Sequence, residues 1–142
     1  MSTTEPLVLD THVWLDVAFG RGRFAPRVRR WVDAAARAST LYVAAITPWE
    51  VAMLARSGKV RVAGPTLDWL TKAFQLTCTA VAPFEPSVAV DSVELPAWTH
   101  GDPADRMIVA TARSMNARLV TRDTAILDYG AATKAVRVLE PS

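Results

Sequence analysis

The sequence predicts an α/β fold, a parallel sheet with helices on both faces, in a single domain over residues 1–142. Three observations lead there. Short apolar runs alternate with helix-patterned segments along the whole chain, as in strands joined by helical crossovers. The run Tyr42-Val43-Ala44-Ala45-Ile46 lacks polar alternation, as does a strand buried on both faces. No internal repeat, low-complexity tract or interdomain linker interrupts the 142 residues, a length that suits one full core.

Leu7 to Asp10 reads as the first strand, and Thr11 to Val17 as a helix broken at Gly20-Arg21-Gly22. Pro26 opens a second helix to about Ser39, with Val28, Trp31, Val32, Ala35 and Ala36 on its apolar side. Tyr42 to Ile46 is the second strand. Thr47-Pro48-Trp49-Glu50 then fits a capping box, with Thr at the cap, Pro first and Glu third. Val60 to Val62 is a brief extended piece, and Gly64-Pro65 leads into a helix through Leu67, Leu70 and Phe74. Thr79 to Ala82 is the third strand, and Pro86 starts a short helix over Val88, Val90 and Val93. A helix capped by Asp102 ends near Met115-Asn116, where Asn suits the left-handed position. Arg118 to Thr121 is the fourth strand, Thr124 to Asp128 a short helix, Tyr129-Gly130 a turn and Val136 to Leu139 the last strand.

Composition narrows the function. No window of about 20 residues is apolar enough to cross a membrane. The opening Met-Ser-Thr-Thr-Glu-Pro lacks the features of a secretion signal, so a cytoplasmic protein is expected. One cysteine, Cys78, excludes an internal disulfide and a multi-cysteine metal site, and its place among Leu76, Thr77 and Thr79 suggests a buried, inert thiol. The net charge is only +2, yet basic residues cluster at Arg21, Arg23, Arg27, Arg29, Arg30 and Arg37, and again at Arg56, Lys59 and Arg61. They read either as solvated helix faces or as a rim that binds phosphate.

The chemistry lies in the acids. Gly101-Asp102-Pro103-Ala104-Asp105-Arg106-Met107 is a helix start, with Asp102 as cap, Pro103 first and Asp105 beside the positive end of the helix dipole. Asp10, Glu50 and Asp123 each follow a strand-like run. Ligands of open parallel sheets bind at the carboxyl ends of strands, so the fold would gather all four acids. Crowded carboxylates need a cation or a raised pKa. With no histidine pair or cysteine set for zinc, a hard ion fits, Mg²⁺ with Mn²⁺ able to substitute. Such an ion can activate water against a phosphodiester.

Leu9-Asp10-Thr11-His12-Val13-Trp14-Leu15, Thr47-Pro48-Trp49-Glu50-Val51-Ala52, the run His100 to Ala112, and Leu119-Val120-Thr121-Arg122-Asp123 together resemble the PIN-domain nucleases, most nearly the VapC-type toxins of bacterial type II toxin–antitoxin systems. The resemblance runs from about Leu7 to Leu139. It implies a three-layer α/β/α fold with a five-stranded parallel sheet in the order 3-2-1-4-5. It also implies an Mg²⁺-dependent endoribonuclease held by a cognate antitoxin, with RNA as substrate, and a homodimer is the expected assembly. The family's acids fall on Asp10, Glu50, Asp105 and Asp123, and its small hydroxyl on Thr11 or Thr121. Asp102 is a further acid near the site, with a capping role preferred. Arg106 and Arg122 either touch substrate phosphate or neutralise the pocket. His12 and His100 are not needed as bases, because a metal-activated water requires no imidazole. Trp14, Val17, Phe19 and Trp31 form a candidate apolar surface for the partner. A phosphoacceptor receiver domain would need a Lys after the last strand, which is absent. A non-cleaving RNA- or protein-binding module would not need a complete acid set.

Overall fold

The structure, a computed structural model, describes residues 5–142. Met1 to Thr4, on which the expectation about a secretion signal partly rests, lie outside the described residues. The chain runs β1 (Leu7–Leu9), α1 (Thr11–Phe19), α2 (Pro26–Ala38), β2 (Leu41–Val43), α3 (Thr47–Arg56), α4 (Thr66–Thr77), β3 (Ala80–Val81), α5 (Pro86–Val93), α6 (Pro103–Ser114), β4 (Arg118–Val120), α7 (Thr124–Thr133) and β5 (Arg137–Leu139). All strand pairs are parallel, in the order β3-β2-β1-β4-β5. No described helix is long and apolar enough to cross a membrane.

The period of two along each strand divides the core into two layers. Leu7, Leu9, Leu41, Val43, Val120 and Leu139 pack with Val13, Trp14, Val28, Val32, Val51 and Leu70 of α1 to α4. Val8 and Leu119 face the other way, onto Ile108, Val109, Ala112, Ile126 and Tyr129 of α6 and α7. Central β1 pairs with β2 on one side and β4 on the other, so Val8 lies opposite both Tyr42 and Leu119. The chain leaves β1 into the first layer and β4 into the second. The switch point, where such sheets form the crevice that takes ligands, therefore lies between the carboxyl ends of β1 and β4.

Several local expectations change. β2 ends at Val43, and Ala44 to Ile46 form a tight turn closed by Thr47 N–H on the Ala44 carbonyl at 3.0 Å. Ile46 therefore caps α3, with no side-chain hydrogen bond, and Thr47 is the first helical residue. The predicted capping box is not made. Val60 to Val62 form no strand, and β3 pairs only at Ala80 and Val81. Cys78 is exposed and closes α4 in the left-handed region at φ 52°. Trp14 is fully buried, 4.7 Å from Phe74 and 5.9 Å from Trp69, so it joins α1 to α4 and is withdrawn from any partner surface. Asn116 takes the left-handed conformation expected of it, at φ 48°.

Tyr129-Gly130 does not turn the chain; α7 continues through both to Thr133. Gly130 is required for packing. A Cβ there would lie 2.9 Å from Val138 Cγ1 and 3.1 Å from the Val136 carbonyl oxygen. Gly130→Ala should destabilise the protein by up to about 2 kcal/mol, because overpacking of about 1–3 kcal/mol is set against a ~1 kcal/mol gain in helix propensity. Gly101→Ala, where a Cβ meets nothing within 4 Å, should stay within about 0.5 kcal/mol of wild type. Chemical denaturation of the two variants checks the contrast.

Candidate active site

Asp10 ends β1 and caps α1. Its Oδ1 accepts from Thr11 N–H at 2.8 Å and its Oδ2 from the Thr121 hydroxyl at 2.7 Å. Thr121, just past β4, accepts in turn from Asp123 N–H at 3.0 Å. The Asp10 N–H donates to the Val120 carbonyl at 3.0 Å, which extends the β1–β4 pairing to the edge of the crevice. The sheet and one hydroxyl thus fix Asp10 and Asp123 relative to each other. Asp123 caps α7 through Oδ1, which accepts from Ala125 N–H at 2.9 Å and Ile126 N–H at 3.2 Å.

Glu50 is held differently. Its Oε1 accepts from the Thr11 hydroxyl at 2.5 Å. Thr11 has one proton to give, so the Thr47 hydroxyl, 2.8 Å away, donates to Thr11 Oγ1. Both threonines are buried. Thr47 serves the site from inside α3 and not as a cap, a role its capping-box context concealed. Of the two hydroxyls left open by the sequence, Thr121 orients Asp10 and Thr11 orients Glu50.

Asp102 caps α6, its Oδ1 accepting from Ala104 N–H at 2.9 Å and Asp105 N–H at 3.3 Å. Asp105, half-buried on the first turn, has a carboxylate with no hydrogen bond or ion pair among the described residues. Its pKa is pushed up to about 7, by burial first and then by the charges of Asp102, Asp123, Asp10 and Glu50. Burial also raises Glu50; repulsion from Asp10 and Asp102 adds to this, while the Thr11 hydrogen bond and His12 oppose it. Burial raises Asp10 as well, against the pull of Thr121, Thr11 N–H and His12. These mutual effects place the four predicted acids and Asp102 around one crevice, with exposed His12 beside Asp10 and Glu50. His100 packs edge-on against Trp98, 5.0 Å away.

Among the described residues no Lys or Arg forms an ion pair with any of the five acids. Arg122, between Thr121 and Asp123, turns away: its Nη1 donates to Asp16 Oδ2 at 2.8 Å and its Nη2 to the Arg23 carbonyl. Arg106 is half-buried on α6 and makes no ion pair among the described residues. No three His, Cys, Asp or Glu side chains among the described residues converge as a ready-made coordination shell. The donors are all carboxylates, which suits a hard divalent ion that keeps several waters and needs only one or two direct protein ligands. One or two of Asp10, Glu50, Asp105 and Asp123 could bind it directly, and the others could reach it through its waters.

A parallel α/β sheet with an all-carboxylate crevice at its switch point defines a PIN-like fold. The chain belongs to the PIN-domain family, whose sequence model matches residues 7–132. It is 44% identical over 86 residues to Ribonuclease VapC22 of Mycobacterium tuberculosis, a match covering 61% of this chain. The matched stretch spans 65% of the length of that curated relative. The fold is similar to VapBC2 from Rickettsia felis bound to a promoter DNA fragment (TM-score 0.64, 16% identity, 96% of this chain and 98% of that one). It is also similar to FitAcB from Neisseria gonorrhoeae (TM-score 0.61, 24% identity, 95% and 97%).

The raised Asp105 pKa sets a pH dependence. A carboxyl that is protonated more readily folded than unfolded stabilises the fold fully below its ordinary pKa near 3.8, and that contribution is lost as pH rises through about 7. Metal-free wild type should therefore fall in melting temperature from pH 5 to pH 8 by several degrees more than Asp105→Asn. Equal pH responses in EDTA would show that Asp105 carries no such strain.

Proposed function

We propose that this protein is a divalent-cation-dependent endoribonuclease, the toxin of a type II toxin–antitoxin pair. The observation that carries this reading is the half-buried Asp105 carboxylate, facing four other acids, none of which is paired with a Lys or Arg among the described residues. The 44% identity to a ribonuclease supports RNA as the substrate. When bound, Mg²⁺ or Mn²⁺ would supply activation of water and charge for the leaving oxygen of a phosphodiester. Asp10, Glu50, Asp105 and Asp123 would hold the ion. Thr121 and Thr11 keep Asp10 and Glu50 from rotating out of place, since each carboxylate has one oxygen tied to a hydroxyl. Capping ties Asp123 through Oδ1 alone, leaving Oδ2 for the crevice.

The solved relatives include a toxin–antitoxin complex from Klebsiella pneumoniae at 21% identity, which supports an antitoxin partner here. A guanidinium or ammonium from such a partner would be drawn to the acidic crevice as a metal ion is. The groove of about 380 Å³ between α1 and α4, lined by Ala18, Trp69, Ala73 and Leu76 together with Asp68 and Lys72, is a mainly apolar seat for an antitoxin segment. A homodimer is the proposed assembly of the free protein.

Cleavage of total RNA in Mg²⁺, abolished by EDTA, is the direct test. Glu50→Gln keeps an acceptor for Thr11 but removes one negative charge, so it should stay folded and lose most turnover at limiting Mg²⁺. Thr11→Val should stay folded and lose about 10–100-fold, the usual effect of removing a group that orients a metal ligand. Full activity of Glu50→Gln would remove Glu50 from the site.

A further inference from the structure

We propose that the α1–α2 loop and the outer face of α2 form a track for the phosphate backbone of single-stranded RNA, which Asp16 and Arg122 position beside the acidic crevice. This rests on the ribonuclease reading and adds where the substrate's charge is met. Arg122 is the link. Its backbone lies between Thr121 and Asp123, while its guanidinium reaches Asp16 on α1 and the Arg23 carbonyl in the loop. One arginine side chain thus spans the gap from crevice to loop. Asp16 binds the loop a second time, its Oδ1 accepting from Arg21 Nε at 3.2 Å. Gly22 packs against the same carboxylate at φ 87°, and a Cβ there would lie 2.7 Å from Asp16 Oδ2. Phe24 is covered by Arg122 at 5.2 Å and Arg29 at 5.4 Å, which carries the clamp into the first turn of α2.

The clamp leaves a row of free positive charge. Arg23, Arg27, Arg30 and Arg37 are exposed and form no ion pair among the described residues. α2 buries Val28, Val32 and Ala35. At 3.6 residues per turn, Arg30 and Arg37 stand opposite that face and Arg27 beside them, and Arg27 to Arg37 covers about 15 Å. Arg27 is braced over Trp31 at 4.9 Å. Forked, always-charged guanidinium groups in a row suit successive phosphates. The acidic crevice repels a polyanion, so a basic row that starts at the loop tied to the crevice and leads away along α2 is what brings a strand alongside.

The test uses the whole protein and a single-stranded RNA, with cleavage kinetics in Mn²⁺ and binding in EDTA at several salt concentrations. The variant Arg23→Ala/Arg27→Ala/Arg30→Ala is compared with Arg56→Ala/Lys59→Ala/Arg61→Ala, which removes the same charge from the other basic cluster. The first should raise KM by about tenfold or more with kcat retained, and flatten the log–log salt dependence by about 2, or roughly 0.7 for each phosphate no longer neutralised. The second should leave both unchanged. Asp16→Asn makes the protein more positive, so a simple charge effect would tighten binding; loss of the clamp should instead raise KM with kcat retained. Wild type that cleaves RNA while the first variant keeps its KM and salt slope overturns the track alone, whatever else the arginines bind. Equal losses in both triple variants overturn it in favour of diffuse attraction, and tighter binding by Asp16→Asn overturns the positioning role. Wild type that neither binds nor cleaves RNA overturns the ribonuclease reading and the track together.

Discussion

The repulsion among carboxylates at one end of the sheet constrains the rest of the site. Asp10 and Asp123 reach one crevice because two neighbouring strands, β1 and β4, send the chain to opposite faces, and Glu50 on α3 and Asp102 and Asp105 at the start of α6 join them there. Burial raises the energy of the charges on Asp10, Glu50 and Asp105, and the neighbouring acids raise it further. The structure meets part of this with fixed dipoles. Asp10, Asp102 and Asp123 each cap a helix, so backbone N–H groups and the positive ends of α1, α6 and α7 face the negative crevice. Threonine hydroxyls hold Asp10 and Glu50. Asp105, on the first turn of α6, neither caps a helix nor accepts from a hydroxyl, and it is the acid driven to a pKa of about 7.

Under the proposed function, capping and site chemistry coexist in the same residues. A capping carboxylate needs one oxygen for the backbone, as Asp123 and Asp102 use Oδ1. The other oxygen can serve the crevice. The cap fixes the side chain's orientation, and pre-orientation is what a cation site needs from its ligands. The basic residues are kept apart from this centre in an equally ordered way: Asp16, and none of the five acids, takes the guanidinium of Arg122.

Much of this was legible in the sequence, because buried parallel strands and helix starts leave strong local patterns. The apolar runs gave all five strands, and Asp102-Pro103 marked the start of α6. The four acids could be grouped because the rule about strand ends is topological and needs no side-chain detail. Hydrogen bonds between distant residues left no such pattern. Thr47 looked like a cap because Thr-Pro-x-Glu is a local signal, yet a turn over Ala44 to Ile46 moved the helix start by one residue and sent its hydroxyl to Thr11, 36 positions away. Gly130 looked like a turn residue because its packing against Val138 is invisible in the sequence. Asp16 gave no signal at all; its importance comes only from Arg122, 106 positions away.

Under the proposed function, the crevice holds its acids in repulsion until a divalent cation relieves it. The most direct measurement is the melting temperature of wild type and Asp105→Asn at pH 8, in EDTA and across a Mn²⁺ titration. A cation that binds only the folded protein stabilises it by about 2.7 kcal/mol at a hundredfold excess over Kd, so wild type should gain several degrees. Asp105→Asn should melt at or above wild type in EDTA and gain less from Mn²⁺. No shift for wild type in millimolar Mn²⁺, or a full shift for Asp105→Asn, would contradict the account.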